Sequence, residues 1–134
     1  MARTVATLRF DRLPELQGKL RQRASQITRK AALDIEAHAK SAMAEPKSGH
    51  VYKRGTATHQ ASAPGEAPAI DMGALVNSIQ TEQEESVVQV VFTNQRYAPH
   101  LEFGTSRIAP RPFLGPAAEA VRPGYVKAME SLLE

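Results

Sequence analysis

Between Leu13 and Met43 nine apolar residues, Leu13, Leu16, Leu20, Ala24, Ile27, Ala31, Ile35, Ala39 and Met43, recur at steps of three or four. That spacing puts them on one stripe of an α-helix and constrains the fold more than any other feature of the chain. Asp11 is placed to cap the start of the helix, Pro14 is tolerated in its first turn, and Pro46 with Gly49 ends it. About thirty residues at 1.5 Å each give a rod of roughly 45 Å, longer than a compact domain of this size is wide. Part of the helix should therefore protrude or pack on another chain.

The remaining material for a core is modest. In 134 residues, 42% are hydrophobic, mostly alanine, valine and leucine, and the aromatics are four Phe and three Tyr with no Trp. A single domain is feasible at this length, with a thin core that invites help from neighbouring subunits. Cysteine is absent, which excludes disulfides, thiolate nucleophiles and thiolate metal ligands. Met1 to Phe10 lacks the apolar stretch of a signal peptide, and no segment is long and apolar enough to span a membrane, so the expected partners do not include one.

Thr4 to Phe10 alternates loosely and reads as a short first strand. Residues 45–72 contain three Pro and three Gly with no period of either kind, which predicts a long loop that serves as an interaction arm or is simply flexible. Asp71 then precedes a short helical turn within Met72 to Ile79. The valine-rich Ser86 to Thr93 is the best strand candidate, paired as a hairpin with Ser78 to Gln83. Arg96 to Phe103 reads as a short helix. Pro116 to Leu133 reads as a final helix, with Pro123 and Gly124 expected to kink or break it. The fold class is α+β: a long N-terminal and a C-terminal helix packed on a small, mainly antiparallel sheet, with a long Pro/Gly-rich loop. The whole of 1–134 forms one domain.

Chemistry has few parts to work with. His38, His50, His59 and His100 never stand at metal-ligand spacing, and no other metal or cofactor site is suggested. His100 and Glu102 form a conceivable acid–base pair, but no nucleophile or second carboxylate accompanies them. Gly65 and Gly73 are set among prolines, unlike the patterns that aim N–H groups at phosphate. Charge is uneven: residues 1–60 carry twelve Lys/Arg against five Asp/Glu, a balance of +7, and residues 61–134 carry five against nine, a balance of −4. Opposite signs favour head-to-tail packing of identical subunits, place a basic face towards nucleic acid, or mark ordinary solvated surface. Lys19, Arg21, Arg23, Arg29, Lys30 and Lys40 on the long helix suit non-specific phosphate contacts.

Two stretches are more specific: SAPGEAPAIDMGALVNSI at 62–79 and YAPHLEFGTSRIAPRPFLGPA at 97–117. Together with their order and spacing they make the chain resemble the neck or tail-completion proteins, the head-to-tail joining proteins of long-tailed bacteriophages, from Leu13 to Leu133. Ala67, Met72 and Gly115 depart from the usual pattern of that family. The resemblance implies a structural virion protein and not an enzyme, made in the host cytoplasm. It would form a ring of six or twelve copies between the head connector or adaptor protein and the tail terminator or tail tube protein. The genomic double-stranded DNA would pass through the ring and touch it without sequence preference. A small non-specific DNA-binding protein is the alternative.

Elementary chemistry gives the second stretch a consistent meaning. Gly104 permits backbone that a side chain would obstruct, Arg111 offers a planar fork to a carboxylate such as Glu102, and Phe113 and Leu114 supply apolar anchors. Glu102 and Arg111 form either an internal latch or a pair between subunits. Phe103, Phe113 and Leu114 read first as plain core residues. Glu102, Phe103, Gly104, Arg111, Phe113 and Leu114 are thus the candidate interface or motif residues, and Tyr52, Pro64, Gly65 and Glu66 those of the assembly loop.

Overall fold

The computed structural model describes residues 12–134. The expected strand at Thr4 to Phe10 and the cap at Asp11 lie outside the described residues. The fold is α+β, in the order α1 (Leu13–Ala44), β1 (Val51–Arg54), β2 (Ala57–Gln60), α2 (Ala74–Ser78), β3 (Gln80–Glu85), β4 (Val88–Phe92), α3 (Ala98–Phe103) and α4 (Leu114–Glu130), closed by a 3-10 turn at Ser131–Leu133.

Helix α1 ends for the reason its sequence gives. Glu45, which precedes Pro46, adopts extended backbone with ψ 152°, because a residue before proline is pushed out of the helical region. Lys47 Nζ then donates to the Ala42 carbonyl at 2.7 Å, serving one of the C-terminal carbonyls that the helix leaves unpaired. Burial along the stripe rises steadily: Leu13 and Leu16 are exposed, Ile27, Ala31 and Ile35 are half-buried, and Ala39 and Met43 are fully enclosed.

The core therefore sits around the C-terminal half of α1. Ala39 and Met43 meet Leu75 and Ile79 of the α2 segment, Ala98 of α3, and Phe113 and Ala117 at the start of α4. Among the described residues Phe113, Ile79 and Met43 are its large side chains at 2% exposure or less, so the packing is alanine-rich and thin, as the composition suggested. Helix α4 lies along α1, and the β3–β4 hairpin covers the same helix from another side. Thr81 Oγ1 and Lys40 Nζ both donate to the Glu36 carboxylate, each at 2.7 Å, and this fastens β3 to α1.

The β-structure is antiparallel and is divided into two separate two-stranded ladders, β1–β2 and β3–β4. Two expectations are corrected. The 45–72 segment is not without secondary structure, since it carries the β1–β2 hairpin, turned through Gly55 at φ +61°. Both strands are four residues long and almost wholly exposed, held by their main-chain ladder and by Arg54, whose guanidinium donates to the Asp71 carboxylate at 2.7 Å, so no hydrophobic period marks them. Finally, α4 runs through Pro123 without a break. Pro123 removes only the bond to the Glu119 carbonyl on a solvent-facing side, where water can replace it, while half-buried Val121, Tyr125 and Ala128 hold the helix against α1.

Candidate functional site

The two specific stretches are far apart in sequence and meet in space. The Gly65 N–H donates to the Pro110 carbonyl at 3.0 Å, and Arg111 Nε donates to the Ser62 carbonyl at 3.2 Å. Ser62 is 6% exposed, so this contact is internal to the subunit. Each side of the junction is shaped by its own local chemistry.

On the first side, Gly65 sits at φ +86°, a conformation that favours glycine, and lets the chain turn at Pro64. The Glu66 carboxylate closes that turn by accepting the Ala63 N–H at 2.8 Å, and it also accepts the Ser48 N–H at 3.2 Å and the Ser48 hydroxyl. The hydroxyl first, then the two N–H groups, hold the Glu66 carboxyl below the ordinary glutamate range. Ser48 was not singled out from sequence, and no local pattern marks a partner eighteen residues away.

On the second side, α3 ends at Gly104, whose backbone at φ +75°, ψ 177° is almost confined to glycine. A Cβ there would stand 2.8 Å from the Ile108 carbonyl oxygen and 2.9 Å from Pro110 Cδ. Thr105 fastens the turn that follows: its N–H donates to the Ile108 carbonyl, and its Oγ1 accepts from the N–H groups of Arg107 and Ile108. The Arg111 N–H donates to the Leu101 carbonyl at 2.6 Å, returning the chain to α3.

Glu102 and Arg111 are not paired with each other. Arg111 donates to carbonyls, those of Ser62 and Ala109, and the Glu102 carboxylate caps α4. It accepts the N–H groups of Phe113 at 2.8 Å, Leu114 at 3.1 Å and Gly115 at 2.7 Å. A helix leaves its first four N–H groups unpaired, and the fourth position here is Pro116, which has none. One carboxylate thus satisfies all the free donors of the helix start, where negative charge is also favoured by the helix dipole. Gly115 allows the approach, since a Cβ at that position would lie 2.9 Å from Glu102 Oε1.

The apolar members of the motif divide. Phe113 is 2% exposed and central to the core, and Leu114 packs against its edge. Phe103 is 78% exposed, which corrects the reading of it as a core residue. It borders a groove of about 340 Å³ with Phe92, Pro99 and Leu114. Tyr52 lies half-exposed on β1, its ring edge-on to His50 with centroids 4.6 Å apart, and Pro64 is exposed at the turn beyond the hairpin.

His100 and Glu102 are not brought together either. Both lie on α3, two residues apart and so about 200° apart around the axis, and the Glu102 carboxylate faces α4. Among the described residues no three potential metal ligands converge, and no helix is long and apolar enough to cross a membrane. Comparison of the chain with protein-family models, with curated proteins and with solved structures gave no match.

Proposed function

We propose that this chain is a structural subunit of the neck of a long-tailed bacteriophage virion. It assembles with copies of itself into a ring of six or twelve between the head connector and the tail, and the genome passes through the ring. It works by assembly and not by catalysis.

One observation carries the reading. The residues that give the resemblance close on one another as a clasp within the subunit, and the same clasp leaves Phe103 at 78% exposure on the surface. Glu66, Glu102, Gly104, Thr105 and Arg111 each have a positioning task in that clasp, so the motif is explained without a reaction. A large apolar ring held outward beside a groove of other apolar groups is the usual character of a contact surface. Met72, 88% exposed, and Leu13 and Leu16 add to the apolar surface that a lone subunit leaves in water.

The test is genetic. A phage whose copy of this gene carries an early stop codon should yield filled heads and complete tails that remain separate in electron micrographs, and supplying the protein should join them. Joined, infectious particles at the normal titre would overturn the proposal.

A further inference from the structure

The contact that links one subunit to the next can be located from two surfaces that complement each other. The first is the N-terminal end of α1. Helices α1 and α4 run antiparallel: Ala39 and Met43 near the end of α1 meet Phe113 and Ala117 at the start of α4, while Ile27 and Ala31 line a groove with Tyr125 and Ala128. Everything from Arg12 to Lys19 is exposed, an overhang of about 12 Å. Leu13 and Leu16, 56% and 53% exposed, continue the apolar stripe along it to half-buried Leu20. Lys19, whose exposed ammonium pairs with Glu15 at 3.1 Å, and Arg23 border that stripe on one side, a turn apart and so about 6 Å apart along the axis.

The second surface is the outer face of the β3–β4 hairpin. Glu82 and Glu84 share it with Val90 and Phe92, and Val88 and Val90 are 38% and 36% exposed. Glu82 lies directly across from Val90. The register shifts between Gln83 and Glu85, so Glu84 is the extra residue of a bulge, and it still lines the same face as Glu82. Neither glutamate joins an ion pair among the described residues. The inner face of the same hairpin is already packed on α1, through Thr81 to Glu36 and Val91 beside Ile35. A chain's own α1 therefore cannot also cover the outer face.

We propose that the overhanging turns of α1 in one copy lie on the outer face of the β3–β4 hairpin in the next. Leu13 and Leu16 cover Val88 and Val90, and Lys19 and Arg23 stand opposite Glu82 and Glu84. The inference rests on the ring reading and names its contact, one in which two different patches meet, as closure into a ring requires. Nucleic acid is the other class of partner a basic helix attracts, but phosphates have no use for a leucine stripe beside the cations. An acidic, apolar sheet face accounts for both.

The experiment uses two full-length variants, Lys19→Glu with Arg23→Glu, and Glu82→Lys with Glu84→Lys, and follows mass by light scattering. Each variant alone places like charges across the contact and should associate at least about a hundredfold more weakly than the unmodified protein. An equimolar mixture should recover the full mass, because each altered face then meets its complement in the other chain. Leu13→Gln with Leu16→Gln should weaken association without any change of charge, and circular dichroism checks that all three variants keep their helices. Unchanged mass in either charge variant, or a mixture of folded chains that stays dissociated, would overturn the contact while leaving the neck role standing. So would loss of duplex DNA binding by the helix variant with its mass unaltered, which would assign the basic turns to nucleic acid. Failure of the stop-codon test would remove the neck role and leave the charge-swap result readable.

Discussion

Replacing Glu102 by Ala strips the start of α4 of its only cap. Three donors lose an acceptor, and they differ in what that costs. The N–H of Phe113 belongs to a residue 2% exposed, where water cannot take over, and a stranded buried donor costs about 1–3 kcal/mol. The Leu114 N–H is half-buried and costs less, while the Gly115 N–H is exposed and is rehydrated at almost no loss. Removing a negative charge from a helix start adds about 0.3–1 kcal/mol. Glu102→Ala should therefore destabilise the fold by about 2–4 kcal/mol, a large share of the roughly 5–15 kcal/mol that a domain has in all. Urea unfolding followed by helical circular dichroism measures it. Glu102→Gln, which keeps one oxygen acceptor and loses the charge, should fall between the two. A change below about 0.5 kcal/mol for Glu102→Ala would refute the capping role, since that is the range of ordinary surface substitutions.

Other perturbations follow the same logic. Gly104→Ala, with backbone nearly confined to glycine and a Cβ pressed on the Ile108 carbonyl, should lose about 3 kcal/mol or more in urea. Gly55→Ala, at φ +61° with open space around it, should lose only about 1 kcal/mol. The carboxyls of Glu36, through Lys40 and then Thr81, and of Glu66, through Ser48, are held below the ordinary glutamate value near 4.3. Their stabilisation is therefore complete above that value and is lost as pH falls through the lowered folded values. Glu36→Gln with Glu66→Gln should flatten the fall of the urea midpoint between about pH 5 and pH 3, and an unchanged slope would contradict this. Joining His50 to Ala61 through two glycines removes the exposed β1–β2 strands above the hydrogen bonds between His50, Gly49 and Ala61. Thermal stability should change little, whereas particle assembly should suffer if the hairpin is the arm.

The elements that were legible in the sequence are those with a one-sided apolar period or proline punctuation. Helix α1 spans Leu13 to Ala44 because its stripe and Pro46 set those limits, and the valine run of β4 announced the second hairpin. The β1–β2 hairpin was not legible, because strands held by main-chain bonds on an exposed surface carry no burial pattern. Within the site, Gly104 behaved as the requirement for a special backbone implies, and Phe113 took its place in the core. The partners of Glu102 and Arg111 were hidden for a different reason. Both side chains bond main-chain groups, every residue has those groups, and no side-chain complementarity betrays which are used. Ser62 and Pro68 also show why residues 62–68 cannot be treated with the hairpin as one dispensable loop, since both are buried.

The central claim is that the protein acts by joining copies of itself. Light scattering on the purified chain across a concentration series, with electron microscopy of the heaviest species, tests it most directly. The account predicts closed rings of six or twelve times the 14.6 kDa subunit, growing at the expense of monomer as concentration rises. A mass that stays at one subunit throughout the series would contradict it.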